Sequence, residues 1–286
     1  MTAMCVLTLS LIAGGCATTG SPNPSAPPDS VRVALMHGIP EKWDLDSNFD
    51  TFLEQLEAAA KKDADIFITP ECWLDGYAAP DKKSTPERLR EIAQPLESST
   101  YLPRVAQEAR EKRIWICFGF TSLEDGKIYN SAGLWDDGGR LIGVYHKTHL
   151  QAHDLQFTLG QDLPVFASPW GLLEIMICAD RRWPETARVL RLQGARLILN
   201  PTYGFYSDLN SDLNEAMMRT RSYENECFIA FTHPRLSLVT DPRGRIAAKK
   251  LSDSPGILVV DLALDETTTK NHLDDRRPDL YQLISQ

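Results

Sequence analysis

The sequence predicts a single α/β domain over residues 31–286, and three observations favour this class. Short apolar runs typical of strands take turns along the chain with segments of helical periodicity. No linker divides these segments, and no repeat of fixed short period is visible. The chain has 286 residues, of which 43% are hydrophobic and 24% are charged. This length and this balance suit one large globular core.

The predicted strands are short runs rich in branched aliphatic and aromatic residues. A turn at residues 137–139 joins two of them as a hairpin, and another turn, at residues 241–244, lies between the last two. The predicted strands cover residues 31–36, 66–68, 114–120, 128–135, 141–146, 175–178, 197–199, 227–232, 236–240 and 256–260.

Four segments are predicted as helices, and the first has apolar residues at the three- and four-residue spacing of an amphipathic helix. Asp46, Ser47 or Asn48 offers an N-cap for the first helix, and Ser99 or Thr100 offers one for the second. The predicted helices cover residues 48–62, 100–112, 185–192 and 208–222.

The N-terminal segment differs in composition from the rest of the chain. Residues 1–16 contain a short apolar run that ends at Cys16, and residues 12–16 resemble the signal of a bacterial lipoprotein. We therefore expect a lipid anchor on Cys16, a disordered Pro/Ser-rich tether over residues 17–30, and a location on the periplasmic side of the bacterial cell envelope. One feature departs from the signal pattern: no Lys or Arg precedes Cys16, whereas export signals normally begin with basic residues. Without export the protein would be cytoplasmic.

The net charge and the spacing of the cysteines limit the kinds of partner and metal site that the sequence predicts. A net charge of −9 without a long basic run disfavours nucleic acid and anionic membrane surfaces. No apolar stretch reaches the roughly 20 residues of a spanning helix, so we expect membrane contact through the lipid anchor alone. The four cysteines after residue 30 are widely spaced and match no metal-binding pattern, which predicts separate thiols and no metal site.

A strand-to-helix elbow at Cys178 is the first candidate for chemistry. An apolar run leads into this cysteine, and Pro184 with Glu185 is typical of a first helical turn. Backbone N–H groups at such an elbow favour a thiolate and can bind an oxyanion. The alternative is that Cys178 is a small buried residue without a chemical role.

Two further charged residues follow predicted strands. Glu71 comes after the strand at residues 66–68, and Lys147 comes at the end of the strand at residues 141–146. A cysteine nucleophile needs a base and a cation or N–H donor for the developing oxyanion. Glu71 fits the base, with its pKa raised by burial, and Lys147 fits the cation. Singly, each residue also reads as an ordinary surface charge.

These residues lie in motifs that resemble the nitrilase, or carbon–nitrogen hydrolase, superfamily over nearly all of residues 31–286. The family's Glu-Lys-Cys triad corresponds to Glu71, Lys147 and Cys178, and Cys178 begins a Cys-x-Asp-x-Arg-x-Pro-Glu match. The late landmarks Arg-x-x-Glu-Asn at residues 221–225 and Asp-Pro-x-Gly at residues 241–244 are also present.

The resemblance implies a four-layer α-β-β-α sandwich, usually paired into homodimers or higher homo-oligomers, and no metal or organic cofactor. It also implies that Cys178 attacks a carbonyl bonded to nitrogen. Lys147 and the Ala179 N–H would hold the oxyanion, and Glu71 would move the proton and later activate water against the thioester.

The loop after Lys147 departs from the family pattern. Many members carry a second Glu there, whereas residues 151–160 contain none. Counting forward from Lys147 places Asp154 at that position, and counting back from Gly160 places His153. We favour Asp154 as a shorter carboxylate that orients Lys147, while His153 would instead hydrogen-bond the substrate.

The residues after Cys178 bear on the substrate. Ala-Asp follows Cys178 where true nitrilases typically have Trp-Glu, which favours an amide or N-carbamoyl substrate over a nitrile. The stretch resembles N-carbamoyl-D-amino acid amidohydrolases, in which paired arginines hold the substrate carboxylate. Arg181 and Arg182 are therefore predicted to bind substrate, since a guanidinium suits a carboxylate. The alternative is that one of them secures a helix or a dimer interface.

Two aromatic residues complete the predicted pocket. Tyr77 follows Glu71 within the matched segment, and Tyr203 lies past the end of another strand. Both are predicted to contact substrate, although aromatic residues in such places often serve packing. The competing functions are a non-catalytic envelope protein on the same fold and an enzyme that transfers the acyl group to an amine.

Overall fold

The protein is a four-layer α-β-β-α sandwich, as predicted. The computed structural model describes residues 28–204, 208–265 and 273–285, with side chains of the fifth helix described from residue 212 onward. Residues 1–27, which include Cys16 and most of the expected tether, lie outside the described residues, and the first strand begins at Ser30.

Thirteen strands and five α-helices make up the described part of the chain. The strands are β1 Ser30–His37, β2 Ile66–Ile68, β3 Gln94–Pro95, β4 Trp115–Glu124, β5 Lys127–Trp135, β6 Leu141–His146, β7 Val165–Ser168, β8 Gly171–Ile175, β9 Ala195–Pro201, β10 Phe228–Thr232, β11 Leu236–Thr240, β12 Ile246–Leu251 and β13 Gly256–Ala263. The helices are α1 Leu45–Ala60, α2 Pro86–Ile92, α3 Leu102–Lys112, α4 Pro184–Leu192 and α5 Asp208–Asn225.

The strands form two mixed sheets. The first has the order β13-β1-β2-β4-β5-β6, with β3 paired to β4, and the second has the order β12-β11-β10-β9-β8-β7. In each sheet the central strands are parallel: β1, β2 and β4 in the first, and β8, β9 and β10 in the second. Parallel central strands bring several carboxyl ends to one edge of each sheet, where polar side chains collect.

Three apolar layers hold the sandwich together. Side chains such as Val33, Ile68, Ile175 and Leu199 pack between the two sheets. A second layer joins the first sheet to α1 and α3, and a third joins the second sheet to α4 and α5. Each sheet is therefore covered on both faces, which explains the continuous apolar runs of β2 and β10 in the sequence.

The structure differs from the sequence prediction in several elements. Helix α1 begins earlier than predicted, because Asp44 is its N-cap and accepts a hydrogen bond from the Ser47 N–H at 3.0 Å. Helix α2 and strands β3, β7 and β12 were absent from the prediction. Only Leu89 of α2 is buried, and β12 has no fully buried residue. The sequences of α2 and β12 therefore carry little apolar pattern. Strand β12 lies between the 241–244 turn and β13, where no strand was predicted.

The described helices and polar clusters bear on membrane and metal binding. Within residues 28–204, 208–265 and 273–285, no helix combines the length and hydropathy needed to cross a bilayer. Over the same ranges, no group of three or more His, Cys, Asp or Glu side chains is placed to hold a metal ion.

One carboxyl group is buried in the core without a hydrogen-bond partner among the described residues. Glu174 of β8 is fully buried, and neither of its carboxylate oxygens has a hydrogen-bond partner among the described residues. Burial raises the pKa of Glu174 to about 9, and the charge of Arg191 opposes this rise. The folded protein therefore keeps this group as a neutral acid at neutral pH.

The protonation of Glu174 predicts a pH-dependent stability. Between the ordinary pKa of 4.5 and about 9, the unfolded chain loses this proton while the folded chain keeps it, so stability falls as pH rises. Glu174→Gln removes this dependence. The free energy of unfolding of the variant minus that of the wild type, both measured with urea, should increase by at least about 1 kcal/mol from pH 5.5 to pH 8.5. The exposed Glu97→Gln should follow the wild type. A constant difference between Glu174→Gln and wild type would contradict this account.

Candidate active site

Three segments that follow strands meet at one edge of the sandwich. Glu71 lies in the turn after β2, Lys147 follows β6, and Cys178 comes three residues after the end of β8. The chain passes close over β4 at this point, because a Cβ atom on Gly119 would lie only 2.4 Å from the carbonyl oxygen of Pro70. Gly119 thus allows Glu71 to enter the interior.

Glu71 and Lys147 form a fully buried ion pair. Lys147 Nζ lies 2.8 Å from Glu71 Oε1, and neither side chain is exposed to solvent. Asn130 Nδ2 donates to the same oxygen at 2.8 Å, and the Tyr203 N–H donates to Glu71 Oε2 at 2.9 Å. Three donors therefore fix the carboxylate in place.

Asp154 is the second carboxylate on Lys147. Its Oδ2 lies 2.5 Å from Lys147 Nζ, and its Oδ1 accepts a short hydrogen bond from the Tyr77 hydroxyl. His153 lies further out, with its side chain 44% exposed and its Nε2 3.9 Å from Asp154 Oδ1. Of the two alternatives from the sequence, the structure therefore places Asp154 against the ammonium.

The environment keeps Lys147 charged. Burial lowers the pKa of Lys147, but Glu71, Cys178 and Asp154 raise it, and the net result lies well above the ordinary 10.5. Lys147 is thus a permanent cation in the site and not a base. The pKa of Tyr77 also lies far above its usual value, because of burial and the two carboxylates, so its hydroxyl remains a donor to Asp154.

Cys178 occupies a tight backbone elbow. It begins the 3-10 turn Cys178–Arg182 with a φ of +46°, a conformation that costs energy for a residue with a Cβ. Asn200 Nδ2 holds the carbonyl of Met176 at 2.6 Å just before it. Burial raises the pKa of the Cys178 thiol, Glu71 raises it further, and Lys147 and Arg181 oppose both effects. A base is therefore needed to remove its proton.

Asp180 connects the cysteine elbow to the lysine segment. Its carboxylate is fully buried and accepts from the N–H of Ile177 at 2.8 Å and from the Tyr145 hydroxyl at 2.7 Å. It also accepts from the N–H of His149 at 2.9 Å and from the Thr148 hydroxyl at 3.0 Å. One side chain thus fixes the relative position of Lys147 and Cys178, which come from different sheets.

The two arginines after Asp180 have different surroundings. Arg181 is fully buried, and its Nη2 and Nη1 donate to Asn214 Oδ1 at 2.6 Å and to the Cys178 carbonyl at 2.5 Å. Arg182 is half-buried and donates a short hydrogen bond to Gln151 Oε1, in the loop that carries Asp154.

The remaining predicted residues surround the same cluster. Ala179, the predicted oxyanion donor, is buried directly after Cys178. The rings of Tyr77 and Tyr203 pack with centroids 4.9 Å apart, and the Tyr203 backbone contacts Glu71. The structure thus brings together the predicted residues of the site.

Sequence reasoning missed two supporting side chains and the connecting role of Asp180. Asn130 is a polar residue within the apolar β5 strand, and that position was a usable signal. Asn214 lies on α5, far along the chain from Arg181, so only the tertiary structure could reveal their contact.

A four-layer α-β-β-α sandwich with Glu, Lys and Cys at the strand ends is the architecture of the nitrilase superfamily. The carbon-nitrogen hydrolase family profile matches residues 32–271, and the chain belongs to this family. The resemblance inferred from the motifs is therefore confirmed, and the protein is a carbon–nitrogen hydrolase.

Individual relatives and structures agree with this membership. A Pseudomonas protegens protein described as a hydrolase in the pqqF 5′ region is 30% identical over 280 residues, covering 90% of this chain and 92% of that protein. Deaminated glutathione amidase of Bos taurus is 29% identical over 284 residues, covering 88% of this chain and 83% of that protein. The crystal structure of an amidase from Nesterenkonia sp. has the same fold, with a TM-score of 0.76 at 24% identity, covering 89% and 96% of the two chains.

The contacts of Asp154 predict its effect on turnover. Asp154→Asn removes one of the two carboxylate charges that contact Lys147. We therefore expect kcat for amide hydrolysis to fall at least about tenfold, which corresponds to about 1.4 kcal/mol in activation free energy. His153→Gln, beside it in the loop, should change kcat less than about twofold because His153 does not contact Lys147. Urea unfolding would show that Asp154→Asn is folded, since breaking a buried ion pair also costs stability. Unchanged turnover in a folded Asp154→Asn variant would refute this role.

Proposed function

We propose that this protein hydrolyses a small amide or N-carbamoyl compound through a thioester on Cys178. The observation that carries the proposal is the buried Glu71–Lys147 pair beside this cysteine. It provides a base and a fixed cation in a site from which bulk water is excluded, where charge interactions are strong. Membership of the carbon–nitrogen hydrolase family and similarity to amidases support amide C–N hydrolysis.

The proposed reaction begins with proton transfer from the Cys178 thiol to Glu71. The thiolate attacks the carbonyl carbon, and the oxyanion forms against the Lys147 ammonium and the Ala179 N–H. Glu71 then donates the proton to the nitrogen, which leaves as ammonia or an amine when the C–N bond breaks. A water molecule gives a proton to Glu71 and attacks the thioester, which releases the acid and the Cys178 thiol.

Asp154 and Tyr77 act on this reaction through Lys147. Two carboxylates at 2.8 and 2.5 Å hold the ammonium in one orientation, so it does not have to move when the oxyanion forms. Tyr77 holds the second carboxylate and, with Tyr203, provides an aromatic wall beside Glu71 for the substrate.

We propose that the substrate carries a carboxylate that Arg182 recognises. Arg182 is half-buried, and its contact with Gln151 lies in the loop of Asp154. The pKa of Arg182 is lowered by burial and by the charge of Arg181, and raised by Cys178, which indicates that all three groups are close. The buried Arg181 next to it in the chain adds to the positive field at this end of the site.

Two further proposals concern the whole protein. We propose lipid anchoring at Cys16 on the periplasmic side of the envelope, for which the support is the motif at residues 12–16. We also propose a homodimer or higher homo-oligomer. Its support is a set of exposed apolar side chains on α4 and the C-terminal segment: Val189, Leu192, Tyr281, Leu283 and Ile284.

Ammonia release by the purified full-length chain tests the proposed function. Propionamide, succinamic acid, N-carbamoylalanine and propionitrile represent the amide, carboxylate-bearing amide, carbamoyl and nitrile classes. We expect release from one of the amide or carbamoyl compounds, and at least about a thousandfold less from Cys178→Ala. Cys227→Ala, which alters a buried cysteine of the layer under α4 and α5, is the matched control and should retain release.

The same panel tests the role of Arg182. Arg182→Gln should raise KM for succinamic acid much more than for propionamide, because only the former has a carboxylate. Release that persists in Cys178→Ala would exclude the thioester route. A folded wild type that releases no ammonia from any compound would favour acyl transfer or a non-catalytic role.

A further inference from the structure

Arg181 is a buried cation without an anionic partner among the described residues. Its side chain is fully buried, yet its hydrogen-bond acceptors are the Asn214 amide oxygen and the Cys178 carbonyl, which are neutral. No carboxylate of the described residues lies within ion-pair distance of it. An uncompensated buried charge is costly, so an anion close to Arg181 would be strongly stabilised.

The sulfur of Cys178 is the atom near Arg181 that can become an anion. Arg181 Nη1 lies 3.6 Å from Cys178 Sγ, and Asn214 holds the opposite edge of the guanidinium through Nε and Nη2. Arg221 Nε donates to the Arg181 carbonyl at 3.1 Å and fixes its backbone. The guanidinium is therefore held beside the sulfur before the thiol loses its proton, and it does not have to reorganise.

Lys147 is in the opposite situation. It is one cation between two carboxylates, Glu71 and Asp154, at 2.8 and 2.5 Å. If the thiol is neutral, the site thus holds one cation with two anions and another cation with none. Transfer of the thiol proton to Glu71 leaves two matched pairs, Lys147 with Asp154 and Arg181 with the sulfur.

We propose that Arg181 is the counter-ion of the Cys178 thiolate that forms when Glu71 takes the thiol proton. This inference rests on the proposed function, in which Cys178 is the nucleophile. The S–H bond breaks, an O–H bond forms on Glu71, and no other reactant takes part. The net charge of the cluster does not change, so proton transfer redistributes charge between two fixed cations.

The groups that act on this thiol come from several segments. The charged and titratable ones are Glu71 and Tyr77 of the turn after β2, Lys147 after β6, and Arg181 and Arg182 of the 3-10 turn. His233, after β10, is also affected by Arg181: burial and the charge of Arg181 together lower the pKa of His233 to about 3. His233 therefore stays neutral and is not an alternative counter-ion.

The pH dependence of Cys178 alkylation tests the proposal on the full-length protein. Iodoacetamide is uncharged, and peptide mass spectrometry identifies Cys178 as the labelled residue, with Cys178→Ala as the negative control. In Arg181→Gln we expect the midpoint of the alkylation rate against pH to rise by about one unit or more, a roughly tenfold loss of thiolate at neutral pH. The midpoint is the readout, because the nucleophilicity of a thiolate itself changes with its pKa.

Two variants separate the effect of the positive charge at residue 181 from a structural effect of the substitution. Arg181→Lys keeps a cation and should restore most of the wild-type midpoint. Asn214→Asp gives Arg181 a competing carboxylate at the position of the present amide, so the midpoint should rise although Arg181 remains. Arg219→Gln is the matched control, since this arginine of α5 bonds the Gly244 carbonyl, and it should leave the midpoint unchanged.

A wild-type midpoint in folded Arg181→Gln and Asn214→Asp would overturn the proposal and leave Arg181 with a structural role. If Arg181→Gln does not fold, Asn214→Asp and Arg181→Lys decide the question. Failure of the proposed function gives a different result: the wild type then releases no ammonia, or releases it equally well in Cys178→Ala. The alkylation midpoint does not depend on turnover, so the two failures are distinguishable.

Discussion

The buried contact of Lys147 with two carboxylates is the interaction on which the rest of the site depends. A lysine that is removed from water keeps its charge only if anions surround it, and Glu71 and Asp154 meet this requirement at 2.8 and 2.5 Å. The loop of Asp154, the turn of Glu71 and the end of β6 must all converge on one ammonium. The position of Lys147 is therefore tied to the positions of Glu71 and of the loop that carries Asp154.

Cys178 reaches this cluster from the second sheet, so the two sheets of the sandwich must keep a fixed relative position. Apolar packing between the sheets provides the coarse alignment. Asp180 provides the fine alignment, because it bonds the backbone before Cys178 and the segment after Lys147 at the same time. The strained φ of Cys178 persists because the surrounding contacts hold the elbow in place.

Much of this arrangement was predictable from sequence. Apolar runs that end in charged or nucleophilic residues located Glu71, Lys147 and Cys178, and the order of several motifs indicated the family, which implied the four layers. The weakly patterned elements α2 and β12 were missed because pairing and packing, not their own sequences, determine them. Counting along the loop left Asp154 and His153 as alternatives. Only the folded loop, with Asp154 buried and His153 partly exposed, separates them.

The most direct test of the central claim is the partition of a common acyl-enzyme. With hydroxylamine present, a primary amide and an ester of the same acid each give a mixture of hydroxamate and free acid. If both pass through one thioester on Cys178, the ratio of hydroxamate to acid is the same for the two substrates, because the leaving group has departed before the ratio is set. A ratio that changes with the leaving group would contradict the thioester mechanism that the cluster of Glu71, Lys147 and Cys178 supports.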